Sequence, residues 1–82
     1  MSLDGSVEDR HTRSVAKLVM MANQIGKFFA SQGPQEAVAG TADHIRKFWE
    51  PQMRDAIMAH LESGGAGLDA NVREALKTLK SR

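Results

Sequence analysis

"HIRKFWEPQMR" (His44–Arg54) holds the only tryptophan of an 82-residue chain, one of its three phenylalanines and one of its two prolines. Pro51 lacks an N–H, clashes with the turn before it and disfavours α conformation at Glu50. A helix arriving through Ile45 therefore stops or kinks between Phe48 and Glu50. Pro51 itself suits the first turn of a new helix, where an N–H would have no partner anyway. The stretch reads as a corner between two helices, with the largest apolar side chain at the break and Arg46, Lys47 and Arg54 around it. Two roles for Trp49 fit that placement: a buried corner of the fold, or an anchor for another protein.

Working outward, the segment before this corner reads as a helix with Val38, Thr41/Ala42, Ile45 and Phe48/Trp49 along one face and Asp43, Arg46, Lys47 and Glu50 elsewhere. It begins after "SQGPQEA", where Gly33 can end a previous helix and Pro34 can open the next. That previous helix carries the strongest pattern in the chain. Val15, Leu18, Val19, Ala22, Ile25 and Phe29 share one stripe, broadened by Met21 and Phe28. It runs from Thr12 to about Ala30. Residues 1–11 are polar and without period, and read as a mobile tail.

On the far side of the corner, Met53, Ile57, His60 and Leu61 fall on one side of a third helix, which "SGGAGL" terminates. Asp69 suits the N-cap of a last helix carrying Val72, Ala75, Leu76 and Leu79. Lys77, Lys80 and Arg82 complement the dipole at its C-terminal end. No segment alternates as a strand would. The expectation is an all-α domain over residues 12–82, a small bundle of about four short helices whose second and third join at a Pro51 kink.

Composition narrows the function. A chain this short buries only roughly 60% of the surface of its unfolded form, so small domains usually need disulfides, a metal or a partner. There is no cysteine, which excludes disulfides, thiolate zinc sites and cysteine-ligated clusters. Association is the supplement left. Eleven basic against ten acidic side chains do not point to nucleic acid or an anionic membrane. No apolar run approaches the roughly 20 residues of a membrane span, and "MSLDGSVEDRHTR" lacks the layout of a secretory signal. The cytoplasm is the expected location.

Catalytic, cofactor and metal sites find no footing. His44 and His60 stand on different helices without a second ligand three or four residues away, and His11 lies in the tail. No serine sits in a nucleophile elbow. "GGAGL" lacks the Gly-Lys-Ser/Thr ending of a phosphate loop and is better read as glycine supplying positive φ at a helix end. The aromatics say more. Neighbours on a helix differ in direction by roughly 100°, so one of Phe28/Phe29 and one of Phe48/Trp49 should point partly away from a single core. With Met20, Met21, Met53 and Met58 the apolar inventory exceeds what so small a monomer would hide. Aromatics, Met and Arg are enriched at protein interfaces. Phe28, Arg46, Phe48, Trp49, Met53 and Arg54 are the candidate partner-binding residues, with Trp49 packing at the corner and Phe48, Arg46 and Arg54 reaching the partner.

Three blocks, "LVMMANQIGKFF" (Leu18–Phe29), "HIRKFWEPQMRDAIMAHL" (His44–Leu61) and "GGAGLDANVREAL" (Gly64–Leu76), resemble the delta subunit of NAD-dependent formate dehydrogenases, the molybdenum- or tungsten-containing bacterial complexes. The resemblance covers roughly residues 14 to 80 in order. It implies a non-catalytic accessory subunit without a cofactor of its own, which stabilises the complex or helps assemble it. The partners it implies are the other formate dehydrogenase subunits, first the metal-binding alpha subunit. The alternative is a free-standing helical protein that self-associates through its Met and aromatic surface, a homo-oligomer when isolated.

Overall fold

The computed structural model describes the backbone of residues 2–80 and the side chains of residues 14–80. Four α-helices follow in order: α1 (Ser2–Ala30), α2 (Pro34–Phe48), α3 (Pro51–Glu62) and α4 (Ala70–Lys80). The described residues contain no strand. The backbone of α1 is helical from Ser2, ten residues before the periodic stripe would start it. The expected tail and its mobility concern side chains that lie outside the described residues, as does Arg82 at the other end.

Each break has a local cause. Gly33, at φ 120°, ends the first connection and Pro34 opens α2. Ser31 Oγ donates to the Phe28 carbonyl at 2.7 Å, which occupies one acceptor that the helix end leaves open. At the second corner Trp49 (ψ 141°) and Glu50 (ψ 154°) are both extended, as a residue preceding proline should be. The chain therefore stops and restarts rather than bending one rod. Arg54, on the first turn of α3, reaches back over this gap. Its Nη1 donates to the carbonyls of Trp49 at 2.6 Å and Arg46 at 3.2 Å, placing a cation on the open carbonyl end of α2.

The third corner is tied by side chains from three helices. Gly64, Gly65 and Gly67 take positive φ, and the loop they make is held at several points. Asn23 of α1 donates from Nδ2 to the Gly67 carbonyl (2.9 Å) and accepts the Asp69 N–H at Oδ1 (3.0 Å). His60 Nε2 meets the Ala66 carbonyl at 2.8 Å, and Arg73 Nε donates to Leu68 at 3.3 Å. Asp69 stands one residue before α4, and its carbonyl accepts the Arg73 N–H.

The core is built from Leu18, Ala22, Ile45, Trp49, Ile57, Leu68, Val72 and Leu76, drawn from all four helices and the glycine loop. α2 packs most extensively, lying against both α1 and α4. It buries Ala37, Thr41, Ala42 and Ile45; Thr41 Oγ1 donates to the Ala37 carbonyl at 2.6 Å, so its buried hydroxyl is satisfied. The face expected for α2 is narrower at its start, where Val38 is only half-buried, and its Phe48/Trp49 pair divides, with Phe48 outside the core altogether. The stripe from Ile45 continues four residues on to Trp49, not three residues on to Phe48.

Two glycines set how closely the helices meet. A Cβ on Gly26 would stand 2.6 Å from Val72 Cγ2 of α4, and one on Gly40 would run into the Phe29 ring of α1. Phe29 at the end of α1 thus faces the first half of α2. Met21 and Ile25, further back along α1, line the same cleft as Trp49. That register is the antiparallel pairing a short connection dictates.

Candidate partner-docking face

The expectation that each aromatic pair would divide between inside and outside describes the structure well. Trp49 is 5% exposed, whereas Phe48 is 71% exposed; Phe29 is half-buried, whereas Phe28 is 62% exposed. The two outward rings do not stand alone. Phe28 meets Phe29 edge to face with centroids 5.0 Å apart. Phe29 lies 6.3 Å from the His44 ring, and His44 lies 4.8 Å from Phe48. These separations fall in the range where ring pairs attract beyond simple area burial. A string of four rings therefore crosses from α1 to α2 on the outer face of the pair.

Beside this string lies an open cleft of about 420 Å³, lined by Met21, Ile25, Phe28, Phe29 and Trp49, with Gln24 and His44 as its polar groups. The edge of the buried tryptophan forms part of its wall. Met20, also on α1, is 61% exposed. Exposed apolar side chains scattered singly need no explanation, but a contiguous apolar patch rimmed by polar groups marks an interaction site. Among the described residues, Met20, Phe28 and Phe48 are the exposed large hydrophobics, and all three stand on α1 and α2.

The structure divides the six candidate residues. Phe28, Phe48 and Trp49 come together at the ring string and its cleft. Arg46 points the other way around α2, towards α4, where it and Arg54 border a recess with Met58 and Leu79. Arg46 Nη2 and Lys47 Nζ both pair with Asp43, at 2.5 and 3.1 Å, on half-exposed side chains. The Lys47 ammonium first, and the Arg46 guanidinium with it, hold the Asp43 carboxyl below the usual carboxylate range. Arg54 is half-buried, with Nη1 committed to the end of α2. Met53 packs against the core from its edge.

Sequence reasoning passed over His44 because it sought a second metal ligand near it. The useful signal was His44 and Phe48 at i and i+4 on one helix face, the spacing at which side chains meet. Phe29 and Gln24 complete the face through α1 and required the pairing of the two helices to be known.

Comparison with known proteins adds what geometry alone cannot. No curated protein and no solved structure matches the chain. The family described as NADH-dependent formate dehydrogenase delta subunit, FdsD, matches it over residues 17–76, from within the apolar stripe of α1 to the last buried leucine of α4. That span takes in α2, α3, the glycine loop and its Asn23 clamp, and the chain belongs to this family.

Proposed function

We propose that this chain is a non-catalytic accessory subunit of a cytoplasmic NADH-dependent formate dehydrogenase, which stabilises the assembled enzyme or helps assemble it. Its role is mechanical. The α1/α2 face covers, and is covered by, a larger subunit, foremost the metal-binding alpha subunit. The observation that carries this reading is the ring string Phe28–Phe29–His44–Phe48, left open on a member of a formate dehydrogenase subunit family. Burying rings of this size against a partner supplies the association that a core of this size lacks. Trp49 serves the fold first, and its exposed edge adds to the docking cleft.

The test is recovery of a tagged full-length chain from its native host grown with formate, with bound proteins identified by mass spectrometry. Stoichiometric metal-binding and flavin-binding subunits support a resident structural subunit. The metal-binding subunit alone, free of its cofactor, supports a role in maturation. Recovery of no formate dehydrogenase subunit from a lysate that contains them contradicts the proposal. A concentration-dependent mass of the isolated chain in light scattering would then favour self-association.

A further inference from the structure

The docking face also carries information about what docks. Its floor is apolar and poor in hydrogen-bonding groups, with Gln24 and His44 as the polar members of the lining. An extended strand laid there would bury a row of backbone N–H and C=O groups with almost nothing to pair with, at a cost comparable to a lost hydrogen bond each. A helix satisfies its own backbone and presents only side chains. The floor is itself laid out for one: Met21, Ile25 and Phe28 on α1 follow helical spacing, and His44 and Phe48 do so on α2. Two antiparallel helices so arranged leave a groove that a third helix fills.

The rim has a sign. Lys17 stands three residues before Met20 and four before Met21. Lys27 follows Gln24 by three and adjoins Phe28. Lys47, three residues after His44, already spends its charge on Asp43. Asp43 is already engaged by Arg46 and Lys47. Among the described residues the ion pairs involve Arg46, Lys47, Lys77 and Lys80, so Lys17 and Lys27 enter none. A two-fold pairing of the chain with its own copy would bring these lysines towards one another, which like charges oppose.

We infer that the α1/α2 groove receives an amphipathic helix of another chain, whose apolar stripe is flanked by Asp or Glu side chains that meet Lys17 and Lys27. This rests on the accessory-subunit reading and specifies the segment by which the partner is held.

The assembled complex, purified with the full-length chain, is treated with a carbodiimide, which joins a lysine amine directly to a carboxylate in contact with it. The expected result is links from Lys17 or Lys27 to acidic residues spaced three or four apart on a helix of a larger subunit. In parallel, Lys17→Glu with Lys27→Glu should slow association about tenfold at low salt, with the difference shrinking at high salt. Links from Lys77 or Lys80 alone, in an intact complex, overturn the groove while leaving the accessory-subunit reading standing. Links to acids on an extended segment overturn the helix, and links between two copies of this chain overturn the heterologous partner. A well-folded chain that assembles with no formate dehydrogenase subunit removes the underlying reading as well.

Discussion

The corner between α3 and α4 and the outer face of α1 and α2 are built from similar material and end in opposite states. Each contains a histidine, a polar amide from α1 and several apolar side chains. At the corner, Asn23 and His60 are spent on backbone groups of the glycine loop, and Leu68 drops into the core. On the outer face, His44 lies between the Phe29 and Phe48 rings, Gln24 lines an open cleft, and Phe28 and Phe48 face outward. A region whose polar groups answer one another is closed. A region whose apolar groups stay exposed is, on the proposed reading, the one that docks. Folding and docking are therefore assigned to different residues, and variants should separate them.

The largest effect is expected at the seam between the two regions. Trp49→Ala removes the largest ring of the buried core cluster and should cost about 3–5 kcal/mol of stability, seen as loss of the cooperative transition in urea followed by circular dichroism. If the fold tolerates it and only assembly suffers, Trp49 belongs to the docking face and the division fails. Next is Gly40→Val, which forces a side chain into the Phe29 ring at the α1–α2 contact. A loss of about 1–3 kcal/mol is expected, together with weaker assembly, because the same contact sets the ring string.

Asn23→Ala sharpens the comparison from the closed side. Two loop backbone groups lose their partner, and roughly 1–2 kcal/mol should go with them, read from the denaturation midpoint, with assembly of the remaining folded protein unchanged. The smallest effect is expected at Asp43→Asn. The carboxyl is held below its ordinary range by Lys47 and Arg46, so its contribution is present above the unfolded-state value of about 3.9 and is lost as pH falls through the lower folded-state value. At pH 7 the variant should be slightly less stable than the parent. The two should converge in acid, and a gap that widens on acidification would reverse the assignment.

The helices and their breaks were legible because Gly33, Pro34, Pro51 and the glycines of "SGGAG" act locally. The division of the aromatics was legible in part. Neighbours on a helix must diverge, but Phe48 and Trp49 stand three and four residues after Ile45, and the period alone does not say which of them turns inward. Arg54 reads as an exposed interface arginine until the restart at Pro51 brings its guanidinium back over the end of α2. Gly26 and Gly40 look like weak points in helices and are instead the places where α4 and α1 come closest. These three depend on contacts between elements, which a pattern along one element does not carry. The proposed docking face shows in the sequence as an excess of aromatics and methionines, and only pairing α1 with α2 brings its rings together.

The central claim, that docking is carried by residues the fold does not need, is tested most directly by Phe28→Ser with Phe48→Ser in the full-length chain. Stability by denaturation and recovery of the larger subunits are to be measured on the same preparation. The account predicts a helical, cooperatively folding protein within about 1 kcal/mol of the parent whose association is weakened by tenfold or more per ring, on the order expected for interface anchors. A double variant that still recovers the larger subunits in full, or one that unfolds, would contradict it.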